Sequence, residues 1–570
     1  MALDWMRSNL GLERGRMSPA LSYWQLLGVC VGSMVGTGWV QGMTEGQNTA
    51  GTAVVASWTL VAVATFVMAL VFAELGTRIP TSGGSARYPH LTFGRTAGFA
   101  AAWIYWIGAV LVVPIEAIVA TESLGSLVSL PLLTGGNSPT LTVWGTIVAA
   151  TLLIVFALVN LAGPRWLAGV NGWATLLKFA IPVAFIVALV ASTAPASGTP
   201  SGGSGDVFLA IARSGIAGKT DSDTTSGVVS TVLEATASSG IVFAFLGFDQ
   251  AVQFGQEAHA PRAAIGRATW GSIVLVFIFY LMLQFGFIYA RLTVLDTGSS
   301  PFVAVALQTS RNGVPSVVIG LLRLAGFVGP ASTGLLYVAS SARLAYGAAR
   351  NGGVPGWIGD LSPQRVPLLP ILIALIVGLV FILPSPGWEP YIGFNSSATV
   401  LGFAFQPLAL ASLRRTDGFR EAAVRAPAGW TGRLARDGVP LAAFVTANWL
   451  VLFGGWDANR EVLAVMLVGL LLFIGHHYLL MPVGARPGLD LPGAYWLPFY
   501  LVGVGVVSWL SWFQGPRGVH GPLPLGVDLL AMAAVSVVTY AGAVGCCRRP
   551  PDETRRDMRF LRSDGRETAG

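Results

Sequence analysis

Charged residues are scarce in this chain. Aspartate, glutamate, lysine and arginine together make up 11% of its 570 residues, whereas soluble domains contain about 25%. Hydrophobic residues make up 54%, and the mean hydropathy is +0.67. So little charge excludes a soluble globular protein. The composition predicts an integral membrane protein whose surroundings are a lipid bilayer.

Cysteine and catalytic motifs are scarce as well. The three cysteines are Cys30, inside an apolar run, and Cys546 and Cys547, at the end of the last one, so an extracellular disulfide framework is excluded. The sequence contains no HExxH, GxSxG or phosphate-loop motif, which argues against an enzyme. The neighbouring His476 and His477 would not share a helix face, so we expect neither a metal site nor a cofactor.

Apolar runs of about 20 residues, the length that crosses a bilayer, recur from end to end. They predict an all-α polytopic membrane protein with about fourteen transmembrane helices. The predicted spans are 20–42, 50–73, 98–122, 141–162, 169–192, 232–256, 266–290, 315–342, 368–384, 390–412, 438–455, 462–482, 494–514 and 523–546.

Arginine is concentrated in alternate connections between these runs. It precedes the first run, occurs in the second, sixth, eighth and tenth connections, and recurs in the C-terminal tail. By the positive-inside rule, both termini are predicted to be cytoplasmic, in a multi-pass protein of the cell membrane. The net charge of +7 is therefore an orientation signal and does not indicate nucleic-acid binding.

The same pattern predicts five consecutive regions. They are a cytoplasmic N-terminus (1–19), a ten-helix transport core (20–412), a cytoplasmic loop (413–437), four additional transmembrane helices (438–546) and a cytoplasmic tail (547–570).

Glycine interrupts two of the apolar runs. The first run contains GSMVGTGW, with Gly32, Gly36 and Gly38, and the sixth contains FAFLGFDQ, with Gly247. Spacings such as Gly32 to Gly36 also suit close packing of helices, so a packing role remains open. Interruptions five spans apart, however, are typical of inverted-repeat transporters with broken helices. We therefore predict a 5+5 repeat in which helices 1 and 6 are broken.

A broken helix offers a binding site made of backbone. The break leaves N–H groups on one side and carbonyl oxygens on the other without helical partners. The carboxylate of an amino acid can accept from the N–H groups, helped by the helix dipole, while its ammonium group donates to the carbonyls. The pattern thus favours an amino acid as the small-molecule substrate.

Several motifs resemble those of amino-acid permeases of the amino acid–polyamine–organocation superfamily. They are GSMVGTGW, PTSGGSARYPH, FAFLGFDQ followed by EAHAPRAAIGRA, and GPASTGLLYVASSARLAYGAARNGGVP. RYPH and PIEA are similar to the branch that includes aspartate and glutamate permeases. The resemblance covers roughly residues 20 to 410 and implies a LeuT-like core. The substrate-binding residues that the breaks and the resemblance predict are Ser33, Val35, Gly36, Thr37, Gly38, Ala244, Phe245, Leu246 and Gly247.

Two of the charged residues inside predicted spans are candidates for proton coupling. Lys178 is one of only two lysines, and a lysine at the bilayer centre costs about 3 kcal/mol. In proton-coupled members of the resembled family, a lysine of span five stands where sodium-coupled relatives bind sodium. Glu116, in span three, is its acidic counterpart and is expected to pair with Lys178, relay a proton or contact substrate. The alternative for Lys178 is an ammonium group that reaches the membrane interface.

These features predict a secondary active transporter that moves amino acids by alternating access, with the proton as coupling ion in symport. An amino acid or polyamine exchanger, or a transporter-like amino-acid sensor, would retain the same pocket and stays an alternative. We expect a monomer or a homodimer.

Overall fold

The computed structural model describes residues 19–128, 140–192, 225–259, 261–289, 301–311, 313–383, 389–415, 430–480, 488–513 and 521–546, with Met17 and Leu133. The predicted cytoplasmic N-terminus, much of the predicted loop 413–437 and the tail 547–570 lie outside these residues.

Helices account for nearly all of the described chain. The two isolated β-bridges, Leu21 with Ala258 and Ser82 with Phe254, join loop segments. In chain order the helices are α1 Tyr23–Met34, α2 Gly38–Ala50, α3 Val54–Arg78, α4 Gly84–Phe93, α5 Arg95–Leu127, α6 Val143–Leu161, α7 Pro164–Ser192, α8 Thr225–Ser238, α9 Ile241–Ala244, α10 Gln250–Gln253, α11 Pro261–Tyr289, α12 Pro301–Arg311, α13 Ser316–Arg350, α14 Leu368–Ile382, α15 Glu389–Leu413, α16 Trp430–Phe453, α17 Gly455–Gly475, α18 Trp496–Leu510 and α19 Val527–Cys546.

Every apolar run predicted from the sequence coincides with helix. Ten helical segments in the described part of the chain are long and apolar enough to cross a membrane, and Leu368–Ile382 and Asp437–Phe453 are shorter apolar helices. The first and sixth runs differ from the others because each is divided, into α1 and α2 and into α8, α9 and α10. The helix α16 begins at Trp430, earlier than its apolar run.

Local sequence determines where the first helix begins. Ser22 and Gln25 form a reciprocal capping box: the Ser22 N–H donates to Gln25 Oε1 at 2.9 Å, and the Gln25 N–H donates to Ser22 Oγ at 3.4 Å. Such a box satisfies two N–H groups that have no helical partner. It holds the helix start beside Glu257, whose carbonyl accepts from the N–H groups of Ala20 and Leu21.

The helices α5 and α13 form the centre of the molecule. They pack along much of their length, and α3 packs against α11 in the same way. Residues 394–413 of α15 are all buried because α16 and α17 cover this helix and also contact α3 and α5. The C-terminal helices therefore enclose part of the ten-helix region.

Polar side chains hold the C-terminal helices together. Asn448 of α16 donates to Ser536 Oγ at 2.9 Å and accepts from the Tyr500 hydroxyl at 2.6 Å. Asn459 of α17 donates to Ser508 Oγ at 3.1 Å. Because interhelical hydrogen bonds contribute about 0.6 kcal/mol each in membrane proteins, these contacts fix helix positions more than they add stability.

The loop before α18 also caps a helix of the core. The α5 N-terminus follows Gly94 and has no side-chain cap of its own. The Arg95 N–H donates instead to Asp490 Oδ2 at 3.0 Å, and the Thr96 hydroxyl donates to the Leu489 carbonyl at 2.5 Å. A carboxylate at a helix N-terminus is favoured by the helix dipole, so this loop anchors the C-terminal helices to α5.

Candidate functional site

The first break lies where the sequence analysis predicts it. Residues 35–37 are not helical, and Val35 has φ −86° and ψ 70°. The carbonyls of Gly32, Met34 and Val35 are thereby released from helical hydrogen bonding. The Gly32 carbonyl accepts from Lys178 Nζ, and the Met34 carbonyl accepts from the Gly36 N–H and lies 2.9 Å from the Tyr280 hydroxyl. The Thr333 hydroxyl lies 3.0 Å from the Gly32 carbonyl and 3.5 Å from the Val35 carbonyl and donates to one of them at a time.

The second break has two interruptions. Gly240, with φ 81°, separates α8 from α9, and Gly247, with φ 111°, lies in the turn between α9 and α10. Both positions lie in the left-handed region, where a side chain is strained. The sixth run therefore depends on glycine for its conformation.

The two breaks touch each other. A Cβ atom added to Gly247 would lie 2.7 Å from Ser33 Cβ, and one added to Gly38 would lie 2.8 Å from the Phe243 ring and 2.9 Å from the Ala244 backbone nitrogen. These glycines therefore have both of the roles that the sequence leaves open. They interrupt the helices, and they allow the two interrupted segments to pack closely. All nine predicted substrate-binding residues are buried around this contact: Ser33, Val35, Gly36, Thr37, Gly38, Ala244, Phe245, Leu246 and Gly247.

Lys178 of α7 reaches the first break. Its Nζ donates to the Gly32 carbonyl at 2.5 Å and to Thr333 Oγ1 at 2.8 Å, and the residue is 2% exposed. Thr333 of α13 also lies 3.0 Å from the Gly32 carbonyl. The ammonium group therefore joins three helices at one point and does not extend to an interface.

Glu116 of α5 contacts the other side of the same break. Its carboxylate accepts from the Thr37 hydroxyl at 2.7 Å and from the Thr37 N–H at 3.3 Å. Gly36 lies between Glu116 and Thr333: an added Cβ would overlap Glu116 Oε1 and lie 3.0 Å from Thr333 Oγ1. Glu116 is thus linked to Lys178 through the broken backbone and Thr333.

Tyr280 of α11 is a site residue that the sequence analysis missed. Its hydroxyl lies 2.9 Å from the Met34 carbonyl and 3.1 Å from the Ala244 carbonyl, so it connects the two breaks. One hydroxyl proton serves one carbonyl at a time. The available signal was a tyrosine four residues before Gln284 in an otherwise apolar run.

Aromatic packing holds Tyr280 in position. Its ring centroid lies 5.0 Å from that of Trp58 and 5.5 Å from that of Phe245. The Trp58 indole donates to Gln284 Oε1 at 2.9 Å, and the Gln284 amide donates to Gln47 Oε1 at 3.0 Å. This chain of contacts runs from Gln47 of α2 to Gln284 of α11, then to Trp58 of α3 and back to Tyr280.

Asp249 follows the second break directly. An aspartate at this position is a favoured helix N-cap, but its side chain makes no capping hydrogen bond. Its Oδ2 accepts instead from the Tyr105 hydroxyl of α5 and, at 2.8 Å, from the Gln253 amide. Gln253 also donates to Ser85 Oγ at 2.7 Å. Tertiary contacts to α5 and α4 thus replace the expected local cap.

A buried ion pair lies nearer the helix ends. Arg343 of α13 donates from Nε to Glu257 Oε1 at 2.6 Å and from Nη2 to Glu257 Oε2 at 2.7 Å. The guanidinium carbon lies 3.7 Å from the centre of the Phe254 ring. This bidentate pair joins the end of the sixth run to α13.

Comparison with known proteins identifies the family. A family model described as amino acid permease matches residues 21–479. The chain belongs to the amino acid permease family. Its members are transporters and not enzymes, so amino-acid transport through a multi-pass membrane protein is the function class. The match continues beyond residue 410, where the motif resemblance ends.

Two relatives from Bacillus subtilis (strain 168) are similar over nearly the whole chain. The glutamate/serine transporter AimA is 30% identical over 539 residues, covering 91% of this chain and 92% of the relative. The aspartate-proton symporter is 24% identical and covers 94% and 98%. A third relative, the branched-chain amino acid permease BcaP of Lactococcus lactis subsp. cremoris, is 26% identical. The similarity covers 65% of this chain and 76% of the relative.

Proposed function

We propose that this permease is a proton-coupled amino acid symporter of the cell membrane with cytoplasmic termini. Its core is a LeuT-like 5+5 inverted repeat of ten spanning helices, from α1 to α15, and α16 to α19 add four more. The observation that carries the proposal is the Lys178 ammonium group, which donates to the Gly32 carbonyl and to Thr333.

A lysine at this position provides a removable positive charge. The freed Gly32 carbonyl and the Thr333 hydroxyl form an oxygen-rich site of the kind that would suit a small cation. An ammonium group satisfies the same oxygens, and unlike a guanidinium group it readily loses a proton. Protonated Lys178 holds α1 against α7 and α13, and proton loss weakens both contacts because the neutral amine is a poorer hydrogen-bond donor.

Glu116 is the second member of the proposed proton path. It is 1% exposed and is held by the Thr37 hydroxyl and N–H. Because Thr37 is the residue that precedes α2, a change in Glu116 charge alters the hydrogen bonding of the break itself. Proton binding and the shape of the substrate site are thereby coupled.

The substrate site is formed by the nine buried residues of the two breaks. The N–H groups at the start of α2 suit a carboxylate, since the Thr37 side chain does not cap them. The freed carbonyls of α1 suit an ammonium group. Aspartate or glutamate is the leading substrate, in keeping with the names of the two Bacillus relatives, and a small neutral amino acid comes next.

Alternating access follows from the contacts on either side of the breaks. The Glu257–Arg343 pair and the Asp249–Tyr105 contact close the cytoplasmic side, while Gly38 against Phe243 and Ala244 closes the outer side. Substrate release to the cytoplasm requires α10 to separate from α13 and α5.

The test is uptake of radiolabelled amino acid into proteoliposomes. We expect an inwardly directed proton gradient, acidic outside, to drive accumulation of the amino acid, and a sodium gradient to have no effect. Lys178→Arg keeps the charge but cannot release the proton, so it should lose pH-driven accumulation, and Lys178→Ala should lose it too while retaining some exchange.

Each other outcome identifies a different function. Sodium-driven accumulation, or full activity in Lys178→Arg, contradicts proton coupling through this residue. A requirement for internal counter-substrate identifies an exchanger, and binding without counterflow identifies a sensor. Arg323→Lys, on the same helix as Thr333 but ten residues away, is the control for changing a basic side chain in a span.

A further inference from the structure

Helix α7 has a stripe of three polar side chains on the face that meets α1. Asn171, Thr175 and Lys178 are spaced by four and then three residues, so they lie on one face of the helix. Asn171 is 2% exposed and Thr175 is partly buried, whereas Trp173 and Leu176 are 74% and 57% exposed. The polar stripe therefore points into the protein, and the apolar face of α7 points towards lipid.

The polar stripe contacts the backbone of α1 at two levels. The Asn171 amide donates to the Gly28 carbonyl at 2.9 Å, and Lys178 Nζ donates to the Gly32 carbonyl at 2.5 Å. The Thr175 hydroxyl lies 3.3 Å from Asn171 Oδ1 and 3.5 Å from the Gly28 carbonyl. Polar groups thus follow one another along the seam between α1 and α7, from Lys178 to Asn171.

Gly32 allows the two helices to approach closely along this seam. A Cβ atom added to Gly32 would overlap Asn171 Oδ1 and lie 3.0 Å from Thr175 Oγ1. The Gly32 carbonyl meets Lys178 at the same level. The backbone of α1 is therefore in direct contact with the polar stripe.

The seam leads from Lys178 towards the cytoplasmic end of α7. In the orientation proposed above, α7 begins on the cytoplasmic side, at Pro164. Because Cα–Cβ bonds in a helix tilt towards its N-terminus, the Lys178 side chain leans in this direction. Asn171 lies seven residues nearer that end, which is about 10 Å along the helix. The polar stripe thus covers half of the distance from Lys178 to the start of α7.

Charged side chains are scarce on both sides of the seam. Helix α1 contains none, and α7 contains only Arg165, which is exposed, besides Lys178. Glu116 contacts the first break at Thr37. Among the side chains that the structure describes, the charged ones of the other helices packed against α7 are Arg267 of α11 and Arg323, Arg343 and Arg350 of α13. A proton that leaves Lys178 between α1 and α7 therefore meets hydroxyl and amide groups of these two helices, and its acceptor is water.

We propose that Lys178 exchanges its proton with the cytoplasm along this seam, by a route separate from that of the substrate. When α1 moves away from α7, water enters the seam and takes the proton from Lys178 Nζ, and the lone pair stays on the nitrogen. Asn171 and Thr175 supply hydrogen bonds to this water. The substrate leaves instead where α10 separates from α13 and α5. The inference rests on the proposed function, since it uses proton coupling through Lys178 and the cytoplasmic position of the α7 N-terminus.

The experiment measures the entry of water into the seam, with the full chain in proteoliposomes and serine at Cys30, Cys546 and Cys547. The probe is trimethylammonium-ethyl methanethiosulfonate, a permanently charged thiol reagent that does not cross the bilayer. We expect Thr175→Cys to react from the cytoplasmic side at least about tenfold faster than Leu176→Cys, because a charged reagent enters hydrocarbon poorly. Leu176→Cys is the matched control, since Leu176 is the next residue and faces lipid.

Two further results connect the water to the proton. Asn171→Cys, one turn nearer the cytoplasm, should react at least as fast as Thr175→Cys. Thr175→Cys that carries the trimethylammonium group should lose proton-driven accumulation and still bind substrate, because the fixed charge occupies the seam and not the substrate site.

The outcomes separate this route from the proposed function. Equal reaction of Thr175→Cys and Leu176→Cys, or reaction of Thr175→Cys from the outside alone, would show that the polar stripe only packs α7 against α1 and would overturn the route. Loss of substrate binding in the labelled protein would overturn it as well, since proton and substrate would then share one path. Full activity in Lys178→Arg contradicts the proposed function instead, whatever the labelling pattern.

Discussion

At the scale of single residues, the carbonyls freed by the two breaks have specific donors. Lys178 and Thr333 contact the Gly32 carbonyl, and the Tyr280 hydroxyl lies within hydrogen-bond distance of the Met34 and Ala244 carbonyls and donates to one of them at a time. An unpaired buried carbonyl costs about 1–3 kcal/mol, so these donors determine whether the breaks are stable in the closed arrangement.

Tyr280→Phe tests this role. The variant keeps the ring packing with Trp58 and Phe245 but leaves one carbonyl of the pair without its donor, so we expect substrate affinity, measured by calorimetry, to fall about tenfold. Tyr88→Phe is the control, because the buried Tyr88 hydroxyl also donates to a carbonyl, that of Ile79 at 3.0 Å, but lies away from the breaks. A similar loss of affinity in both variants would mean that Tyr280 contributes only general stability.

At the scale of elements, helix α1 contains glycines with different surroundings. An added Cβ at Gly36 would overlap Glu116 and press on Thr333, whereas one at Gly28 would lie 3.7 Å from its nearest neighbour, Asn171 Nδ2. Glycine at a regular helical position is unfavourable by about 1 kcal/mol relative to alanine. Replacement of glycine by alanine should therefore be destabilising at Gly36 and stabilising at Gly28.

We expect Gly36→Ala to weaken substrate binding at least tenfold, since overpacking costs about 1–3 kcal/mol. Gly28→Ala should bind normally and raise the melting temperature slightly. The measurements are binding of radiolabelled substrate and thermal unfolding in detergent. Normal affinity in Gly36→Ala would show that the first break does not form the substrate site.

At the scale of the whole molecule, two glutamates hold helix ends together through ion pairs that differ in burial. Glu257 and Arg343 are 1% and 4% exposed, whereas Glu74 is 19% exposed and contacts both Arg78 and Arg414. Removing one partner of a buried pair costs about 3–5 kcal/mol, and partly exposed pairs contribute much less. The first pair should therefore control the opening of the cytoplasmic side.

Cys30 provides a native reporter of this opening. Its buried Sγ lies 3.2 Å from the Ala251 N–H of α10, so separation of α10 from α1 uncovers it. In a variant with serine at Cys546 and Cys547, we expect Glu257→Gln to increase maleimide labelling of Cys30 at least tenfold and Glu74→Gln to change it little. Equal labelling in the two variants would contradict the proposed gate.

The sequence by itself determined the membrane class, the helical runs and both breaks, and it singled out Lys178 as a candidate. Scarce charge, the period of the apolar runs and glycines within them are local properties, and a lone lysine in an apolar run conflicts with the bilayer wherever the chain folds. The family assignment rests on the same linear information.

Only the tertiary structure decided which residues meet. Tyr280 joins Met34 to Ala244, Asp249 accepts from Tyr105 instead of capping its own helix, and Gly36 lies between Glu116 and Thr333. These contacts depend on how helices rotate and cross when they pack. Sequence spacing cannot reveal them, because spacing determines the face of a helix on which a side chain lies and not the partner that the face meets.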